Sequence, residues 1–208
     1  MKNLLLVENP LVKRDVTILR DKNTDAAGFR AALDRVSFSI AIEIGKTFEL
    51  LEYTVETPLE KTIGFRLSKQ IVLIPVLRAG LSMVHSFLKM VPDARVGHIG
   101  LQRDEITLQP INYYYKTPKN LEKSITILLD PMLATGGSAV SSFNSLKKKG
   151  VGKCILACLI AAPEGVIKMS KEHPDIDIFS ASLDRELSPV GYILPGLGDA
   201  GDRTFGTL

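Results

Sequence analysis

Short, continuous apolar runs alternate with helical segments over most of the chain beyond residue 70. Neighbouring residues of a strand point to opposite faces, so a run without polar positions predicts a strand that is covered on both faces. Such strands alternating with helices are typical of an α/β fold with a mostly parallel sheet flanked by helices. The runs span 70 to 76, 95 to 101, 124 to 129, 153 to 161 and 176 to 181, and the helices lie near 81 to 90, 138 to 149 and 164 to 173.

Three stretches need a separate interpretation. Residues 24 to 52 have apolar positions at spacings of three and four, which predicts one long helix. Residues 102 to 122 are polar and predict a flap or a small hairpin. Residues 188 to 208 contain two prolines and five glycines, so we do not expect regular helix in this irregular C-terminal segment. We expect a single domain over 1 to 208.

Composition and charge favour a globular protein with a small anionic ligand over a nucleic-acid-binding or membrane protein. Hydrophobic residues make up 45% and charged residues 24% of the 208 residues, as in soluble globular proteins. The net charge of +3 fits an anionic small ligand but not the dense basic surface of a nucleic-acid-binding protein. No run has membrane-spanning length, and the apolar start is too short for a signal peptide. Because Cys154 and Cys158 lie in an apolar run, we expect buried thiols and a cytoplasmic protein.

The strongest chemical signal follows the run that ends at residue 129. A strand leads into Asp130, and a loop of small residues then opens a helix. Gly136 and Gly137 let backbone N–H groups approach a ligand, and the helix N-terminus favours an anion. Thr135 and Ser138 add hydroxyl donors, so the pattern predicts a phosphate cradle. It lacks the Gly-Lys-Ser/Thr ending of a P-loop NTPase, and a plain strand-to-helix turn is the alternative interpretation.

This loop resembles the motif of type I phosphoribosyltransferases that binds phosphoribosyl diphosphate (PRPP). Its form at 130 to 138 is similar to the uracil phosphoribosyltransferases in particular, although most of the superfamily has an acidic residue where Pro131 stands. The segments 75 to 81, 161 to 165 and 191 to 202 are similar to the same family in order and spacing. The resemblance therefore covers nearly the whole chain. It implies a pentosyltransferase that converts uracil and PRPP to UMP and diphosphate in pyrimidine salvage.

The resemblance also implies which residues bind each substrate. Arg78, which follows a buried strand, and Arg103, at the root of the flap, would clamp the diphosphate, with a solvated arginine as the alternative. The PRPP ribose and 5-phosphate would be bound by Asp130, Pro131, Met132, Leu133, Ala134, Thr135, Gly136, Gly137 and Ser138. Uracil would be bound by Ile193, Gly198, Asp199 and Ala200, largely through main-chain groups, with Tyr192 beside the pocket. Asp199 would also lie near the PRPP sugar, and Arg78, Arg103, Asp130 and Asp199 would act in catalysis.

The implied cofactor is Mg²⁺, which prefers phosphate oxygens and water, so no protein ligand is assigned. His85, His98 and His173 have no metal-ligand spacing. A homodimer or larger assembly is expected, with the helix over 24 to 52 in its interface. Activation by GTP occurs in this family, and no residue here establishes it.

Two other functions remain alternatives. One is a phosphoribosyltransferase for another base such as a purine, against which the segment 191 to 202 argues. The other is a regulatory protein that keeps the fold to sense nucleotides or RNA, against which the modest net charge and the complete substrate motifs argue.

Overall fold

The computed structural model describes residues 3–103 and 110–207 of the chain. The strands in this part are β1 (Leu4–Leu6), β2 (Leu50–Glu56), β3 (Lys61–Leu67), β4 (Gln70–Leu77), β5 (Arg95–Val96), β6 (His98–Arg103), β7 (Pro110–Lys116), β8 (Ser124–Leu129), β9 (Met132–Leu133), β10 (Lys153–Ala161), β11 (Asp177–Leu183), β12 (Glu186–Leu187) and β13 (Ile193–Leu194). The α-helices are α1 (Pro10–Arg20), α2 (Ala26–Gly45), α3 (Leu81–Met90), α4 (Gly137–Lys148), α5 (Pro163–Glu172) and α6 (Ala200–Phe205).

Among the described residues, nine strands form one central sheet with the main order β1-β11-β10-β8-β4-β6-β7. Strand β5 pairs with β4, and β9 pairs with β10. The pairings are parallel, apart from the antiparallel pairing of β6 with β7. The predicted mostly parallel sheet is therefore confirmed.

The central strands β4, β8 and β10 are buried on both faces, which explains why they are mainly apolar. Leu73 and Ile74 are neighbours in β4, and they pack into two different core clusters. The cluster around Leu73 contains residues of α1, α2 and α3, whereas the cluster around Ile74 contains residues of α4 and α5. Each fully buried side chain of this size contributes about 1.5–3 kcal/mol to stability. Burial of this kind holds the strand ends in place, and the strand ends carry the candidate site.

The prediction of one helix over 24 to 52 is wrong beyond residue 45. The helix begins as expected, because the Asp25 side chain caps it by accepting a hydrogen bond from the Gly28 N–H at 2.7 Å. It ends at Gly45, where the hydroxyl of Thr47 bonds to the carbonyl of Ile44 at 2.8 Å. The residues from Leu50 onward then pair as β2 with β3 in a separate hairpin. Apolar residues at 48 and 51 fit helical spacing by chance, and only the distant partner strand distinguishes the two structures.

The expectation for the flap is met in its described part, where β6 and β7 form an antiparallel hairpin. Residues 104–109, which include Ile106, lie outside the described residues. The expectation that no regular helix occurs after residue 188 is wrong for α6, a six-residue helix at Ala200–Phe205. The prolines precede it, and Asp199 provides the cap that its short sequence needs.

Both cysteines lie in β10 and are buried, as predicted, and neither forms a disulfide. Burial raises the pKa of each thiol to about 12. In the described ranges, no helix has the length and apolar character needed to cross a membrane.

Candidate active site

A cavity of about 290 Å³ lies beyond the carboxyl ends of β4 and β8, where ligands bind in open parallel sheets. Three segments distant in sequence line it: the turn after β4, through Ala79, the loop after β8, and the segment around β13. The predicted site residues that line it are Asp130, Met132, Leu133, Ala134, Thr135, Gly136, Gly137, Ser138, Tyr192, Ile193, Gly198, Asp199 and Ala200. The predicted phosphate loop and the predicted base-binding residues therefore share one cavity.

The phosphate side of the cavity is formed by the turn into α4. Gly136 has a φ of 75°, a left-handed conformation that side chains with a Cβ rarely adopt. Gly136 is the N-cap of α4, and because it has no side chain it cannot accept a hydrogen bond from the first N–H groups of the helix. Gly137 and Ser138 line the cavity, and the Thr135 hydroxyl lies 3.4 Å from the Gly137 nitrogen. The start of a 12-residue helix, with hydroxyl groups beside it, thus faces the cavity and can bind an anion.

The Asp130 carboxylate lines the cavity and has few partners in the described part of the chain. There it accepts one long hydrogen bond, 3.5 Å from the Met132 nitrogen. Burial raises the pKa of Asp130 to about 6, and the bond from Met132 offsets only part of this effect. A carboxylate held in this way can accept hydrogen bonds from hydroxyl groups of a ligand.

Pro131 does not line the cavity. Its carbonyl accepts hydrogen bonds from the nitrogens of Leu159 and Ile160 at 3.0 and 3.2 Å. The residue that replaces the second acidic residue of the superfamily motif is therefore used to join the loop to β10.

Of the two predicted arginines, Arg78 has a described side chain and Arg103 does not. Arg78 lies in the turn between β4 and α3, and its Nη2 is 3.0 Å from Oδ1 of Asp202 in α6. Its side chain is 57% exposed, and the neighbouring Ala79 lines the cavity. Arg103 ends β6, but its side chain lies outside the described part of the protein.

The base side of the cavity is a turn between two short strands, β12 and β13, followed by α6. Glu186 pairs with Leu194 and Leu187 with Ile193. Ile193 is buried, whereas Tyr192 is 55% exposed. The Asp199 side chain accepts a hydrogen bond from the Asp202 nitrogen at 2.9 Å, which caps α6. This segment therefore lies beside the phosphate loop in the same cavity.

Gly165 supports the phosphate loop from below, a role that the sequence interpretation missed. A Cβ on Gly165 would lie 2.4 Å from the carbonyl oxygen of Ala134 and 2.8 Å from that of Leu133. Only a glycine lets the loop approach α5 so closely. The segment 161 to 165 was part of the family resemblance, and its glycine after a proline-initiated helix start was the available signal.

In the described ranges, no three His, Cys, Asp or Glu side chains converge on a point that could hold a metal ion. Asp130 is the carboxylate at the phosphate side of the cavity. The donor set fits Mg²⁺ only if the ion takes most of its ligands from a bound diphosphate and water, as Mg²⁺ commonly does.

Comparisons with known proteins agree with this geometry. The family model described as uracil phosphoribosyltransferase matches residues 6–207. A uracil phosphoribosyltransferase from Bacillus cereus and one from Bacillus anthracis are each 50% identical over 208 residues, covering 100% of both chains.

Solved structures give the same result at the level of the fold. A protein of Aquifex aeolicus superposes with a TM-score of 0.92 at 36% identity, over 97% of both chains. A purine phosphoribosyltransferase from Pyrococcus horikoshii superposes with a TM-score of 0.51 at 18% identity, over 76% of this chain and 90% of that one, which shows the shared fold alone. On the family match and the full-length relatives, this chain belongs to the uracil phosphoribosyltransferase family.

Proposed function

We propose that this protein transfers the ribose 5-phosphate group of PRPP to N1 of uracil, giving UMP and diphosphate. The observation that carries the proposal is that the start of α4, which can bind an anion, and the segment around β13 and the start of α6 line one cavity. The first suits the 5-phosphate of PRPP, and the second suits a small base with two carbonyl oxygens and N–H groups.

The reaction breaks the bond between C1 of the ribose and the diphosphate oxygen, and it forms a bond from C1 to N1 of uracil. The proton on N1 passes to the departing diphosphate or to water. Positive charge develops on the ribose ring as the leaving group departs, as at other glycosyl centres. The loop 130 to 138 would hold the 5-phosphate and the ribose, with Asp130 accepting hydrogen bonds from ribose hydroxyls. Because the Asp130 pKa is about 6, this carboxylate is mainly ionised at neutral pH and can act as an acceptor.

The base would be bound by Ile193, Gly198, Asp199 and Ala200, with the exposed ring of Tyr192 beside it. Main-chain groups can give uracil both the donors and the acceptors that it needs. Asp199 lines the same cavity as Asp130, which supports a position close to the sugar.

Arg78 would bind the diphosphate after leaving Asp202. The ion pair between Arg78 and Asp202 is largely exposed, since their side chains are 57% and 31% accessible. Exposed ion pairs of this kind contribute little, so a diphosphate can displace the carboxylate easily. Arg103 as a second diphosphate ligand stays a prediction from the sequence.

Mg²⁺ would be held chiefly by PRPP and water, with Asp130 as the nearby carboxylate. When bound, it would supply neutralisation of the diphosphate charge. The residues of the chain orient the substrates and help to exclude water, which would otherwise hydrolyse PRPP.

Further properties of the family are proposed on the sequence resemblance. These are a single domain over 1 to 208, a cytoplasmic location, a homodimer or larger assembly, and activation by GTP. An assembly is supported by β2 and β3, which carry exposed apolar side chains such as Leu50, Ile63 and Phe65. The helix expected at the interface, α2, buries one face, including Phe29 and Ile40, in the core of the chain.

The substitution Arg78→Ala tests the assignment of the diphosphate site. We expect PRPP binding, measured by isothermal titration calorimetry with Mg²⁺, to fall at least about tenfold because a charge-assisted pair of hydrogen bonds is lost. UMP formation should fall with it, while thermal unfolding changes little. Arg95→Ala is the matched control, because Arg95 is also exposed but lies near the amino ends of the strands, paired with Val72.

The control should keep wild-type PRPP affinity and UMP formation. Wild-type PRPP affinity in the Arg78→Ala variant would contradict the assignment of this residue.

A further inference from the structure

We propose that Arg20 and Asp184 are positioning residues that fix the backbone of the uracil-binding segment, although neither lines the cavity. This inference rests on the proposed function, since it assigns these residues to the recognition of uracil.

Asp184 is a buried carboxylate directly after β11. Its side chain is 1% exposed, and its backbone nitrogen bonds to the Ala161 carbonyl at 2.8 Å, which ties it to the end of β10. Burial alone would raise the pKa of Asp184, but hydrogen bonds from Arg20, Ser182 and the Gly196 N–H outweigh it and lower the pKa. Asp184 is therefore a charged group with a complete set of donors around it.

Arg20 supplies the opposite charge from the last turn of α1. Its Nη1 lies 2.7 Å from Oδ2 of Asp184, and its Nη2 lies 2.5 Å from Oδ1, so the pair has two parallel hydrogen bonds. The same Nη2 donates to the Ser182 hydroxyl at 3.1 Å. A bidentate arginine–carboxylate pair fixes direction as well as distance.

The Arg20–Asp184 pair forms hydrogen bonds with both the backbone N–H and the backbone carbonyl of Gly196. The Gly196 nitrogen donates to Oδ2 of Asp184 at 2.9 Å, and the Gly196 carbonyl accepts from Nη1 of Arg20 at 2.8 Å. Gly196 has a φ of 65°, and a Cβ there would lie 2.1 Å from the carbonyl oxygen of Ile193. The chain therefore makes a tight turn at Gly196, between Ile193 on one side and Gly198 on the other, and the ion pair fixes this turn.

A second arginine holds the same segment one residue further on. Arg203 donates to the carbonyl of Leu197 at 2.8 Å and to that of Asp21 at 2.6 Å, and it also bonds to the carbonyl of Leu19. Its guanidinium lies 4.4 Å from the ring centroid of Phe29. The base-binding segment is thus fixed to α1 and α2 at two successive residues, by side chains that do not reach the cavity.

These contacts matter because the proposed uracil ligands are mainly main-chain groups. The position of a main-chain donor or acceptor is set by the backbone and not by a side-chain rotamer. It therefore depends on the contacts that fix the backbone in place. Errors of about 1 Å in substrate position can cost about 100-fold in rate. Loss of the pair should therefore impair uracil use more than PRPP use, because in the described ranges neither residue forms a hydrogen bond with the phosphate loop.

The test compares Arg20→Met with Arg35→Met. Arg35 is a matched control, since it also forms a two-bond pair with a buried carboxylate of α1, at 2.9 and 2.8 Å from Asp15, but does not touch the base-binding segment. We expect Arg20→Met to raise the KM for uracil by about tenfold or more, with the KM for PRPP within about twofold of wild type. Arg20→Lys, which keeps the charge, should recover part of the loss. Arg35→Met should lower thermal stability without changing the KM for uracil.

An unchanged KM for uracil in Arg20→Met, an equal rise in both KM values, or the same rise in Arg35→Met would overturn the inference. If Arg20→Met does not fold, Asp184→Asn takes its place with the same expected split between the two KM values. Amide hydrogen exchange at Gly196 gives a readout that does not depend on activity, and we expect it to accelerate in Arg20→Met. If the wild-type protein forms no UMP, the proposed function fails, while faster exchange at Gly196 would still support the fixing of this turn.

Discussion

The substitution Asp130→Asn should make the ligand-free protein more stable while it abolishes the use of PRPP. Asp130 is placed for a ligand, and among the residues that the structure describes its carboxylate receives only the long bond from the Met132 nitrogen, at 3.5 Å. Burial consequently raises the pKa of Asp130 from the usual 3.8 to about 6. The ionised form is disfavoured in the folded protein, and a neutral amide of the same size removes this cost.

The size of the effect follows from the two pKa values. The difference between 3.8 and about 6 corresponds to roughly 3 kcal/mol, at about 1.4 kcal/mol per pH unit. Solvent in the open cavity screens part of this, so we expect about 1–3 kcal/mol of added stability at pH 7.5. Since the folded-state pKa is raised, the cost is fully present above pH 6 and disappears as the pH falls towards 3.8.

Urea unfolding of wild type and Asp130→Asn at several pH values measures this difference. The advantage of the variant should be largest at pH 7.5, about half as large at pH 5, and close to zero at pH 3.8. Asp184→Asn is the control with the opposite sign, because hydrogen bonds lower the pKa of Asp184 and its charge stabilises the fold. That variant should be less stable than wild type at neutral pH.

Two results would refute the reasoning about Asp130. One is a variant that is less stable than wild type at pH 7.5, which would mean that the carboxylate has a structural role. The other is a stability difference that does not change between pH 7.5 and pH 4. Calorimetric titration of the variant with PRPP separates the effect on stability from the effect on binding. The affinity for PRPP should fall strongly, because the amide replaces one carboxylate oxygen by a donor and removes the charge.

Two further predictions concern the loop and the thiols. Gly165→Ala should raise the KM for PRPP by about tenfold or more, because the new Cβ would lie 2.4 Å from the Ala134 carbonyl oxygen and push the phosphate loop into the cavity. Steady-state kinetics measure this KM, and an unchanged value would contradict the prediction. Cys154 and Cys158, whose thiol pKa values burial raises to about 12, should react with a thiol reagent at pH 7.5 only after the protein is unfolded. Rapid reaction of either thiol in the folded protein would show that β10 is less protected than its burial indicates.

The features that could be predicted are those whose signal lies within a short stretch of sequence. The strand from Gln70 to Leu77 is apolar on both faces, and this run is visible in the sequence although the helices that cover it come from elsewhere in the chain. The phosphate loop was predictable for the same reason, since Gly136 and the hydroxyl residues on either side are adjacent in the chain.

The features that were missed depend on partners distant in sequence. The strand Leu50–Glu56 has helical apolar spacing at its start, and only its pairing with β3 identifies it as a strand. Arg20 and Asp184 are separated by 164 positions, and neither carries a motif. The raised pKa of Asp130 depends on burial by several segments, so the sequence showed the carboxylate but not its state.

The measurement that tests the central claim most directly is product formation from PRPP and Mg²⁺ with uracil, cytosine, adenine, guanine and hypoxanthine, each assayed separately. We predict UMP from uracil and no nucleotide from the other four bases, because the segment 191 to 202, part of which lines the cavity beside the phosphate loop, is similar to that of the uracil phosphoribosyltransferase family. A product from a purine alone would keep the PRPP site and contradict the assignment of the base-binding segment. No product from any base, with PRPP still bound, would contradict the proposed activity itself.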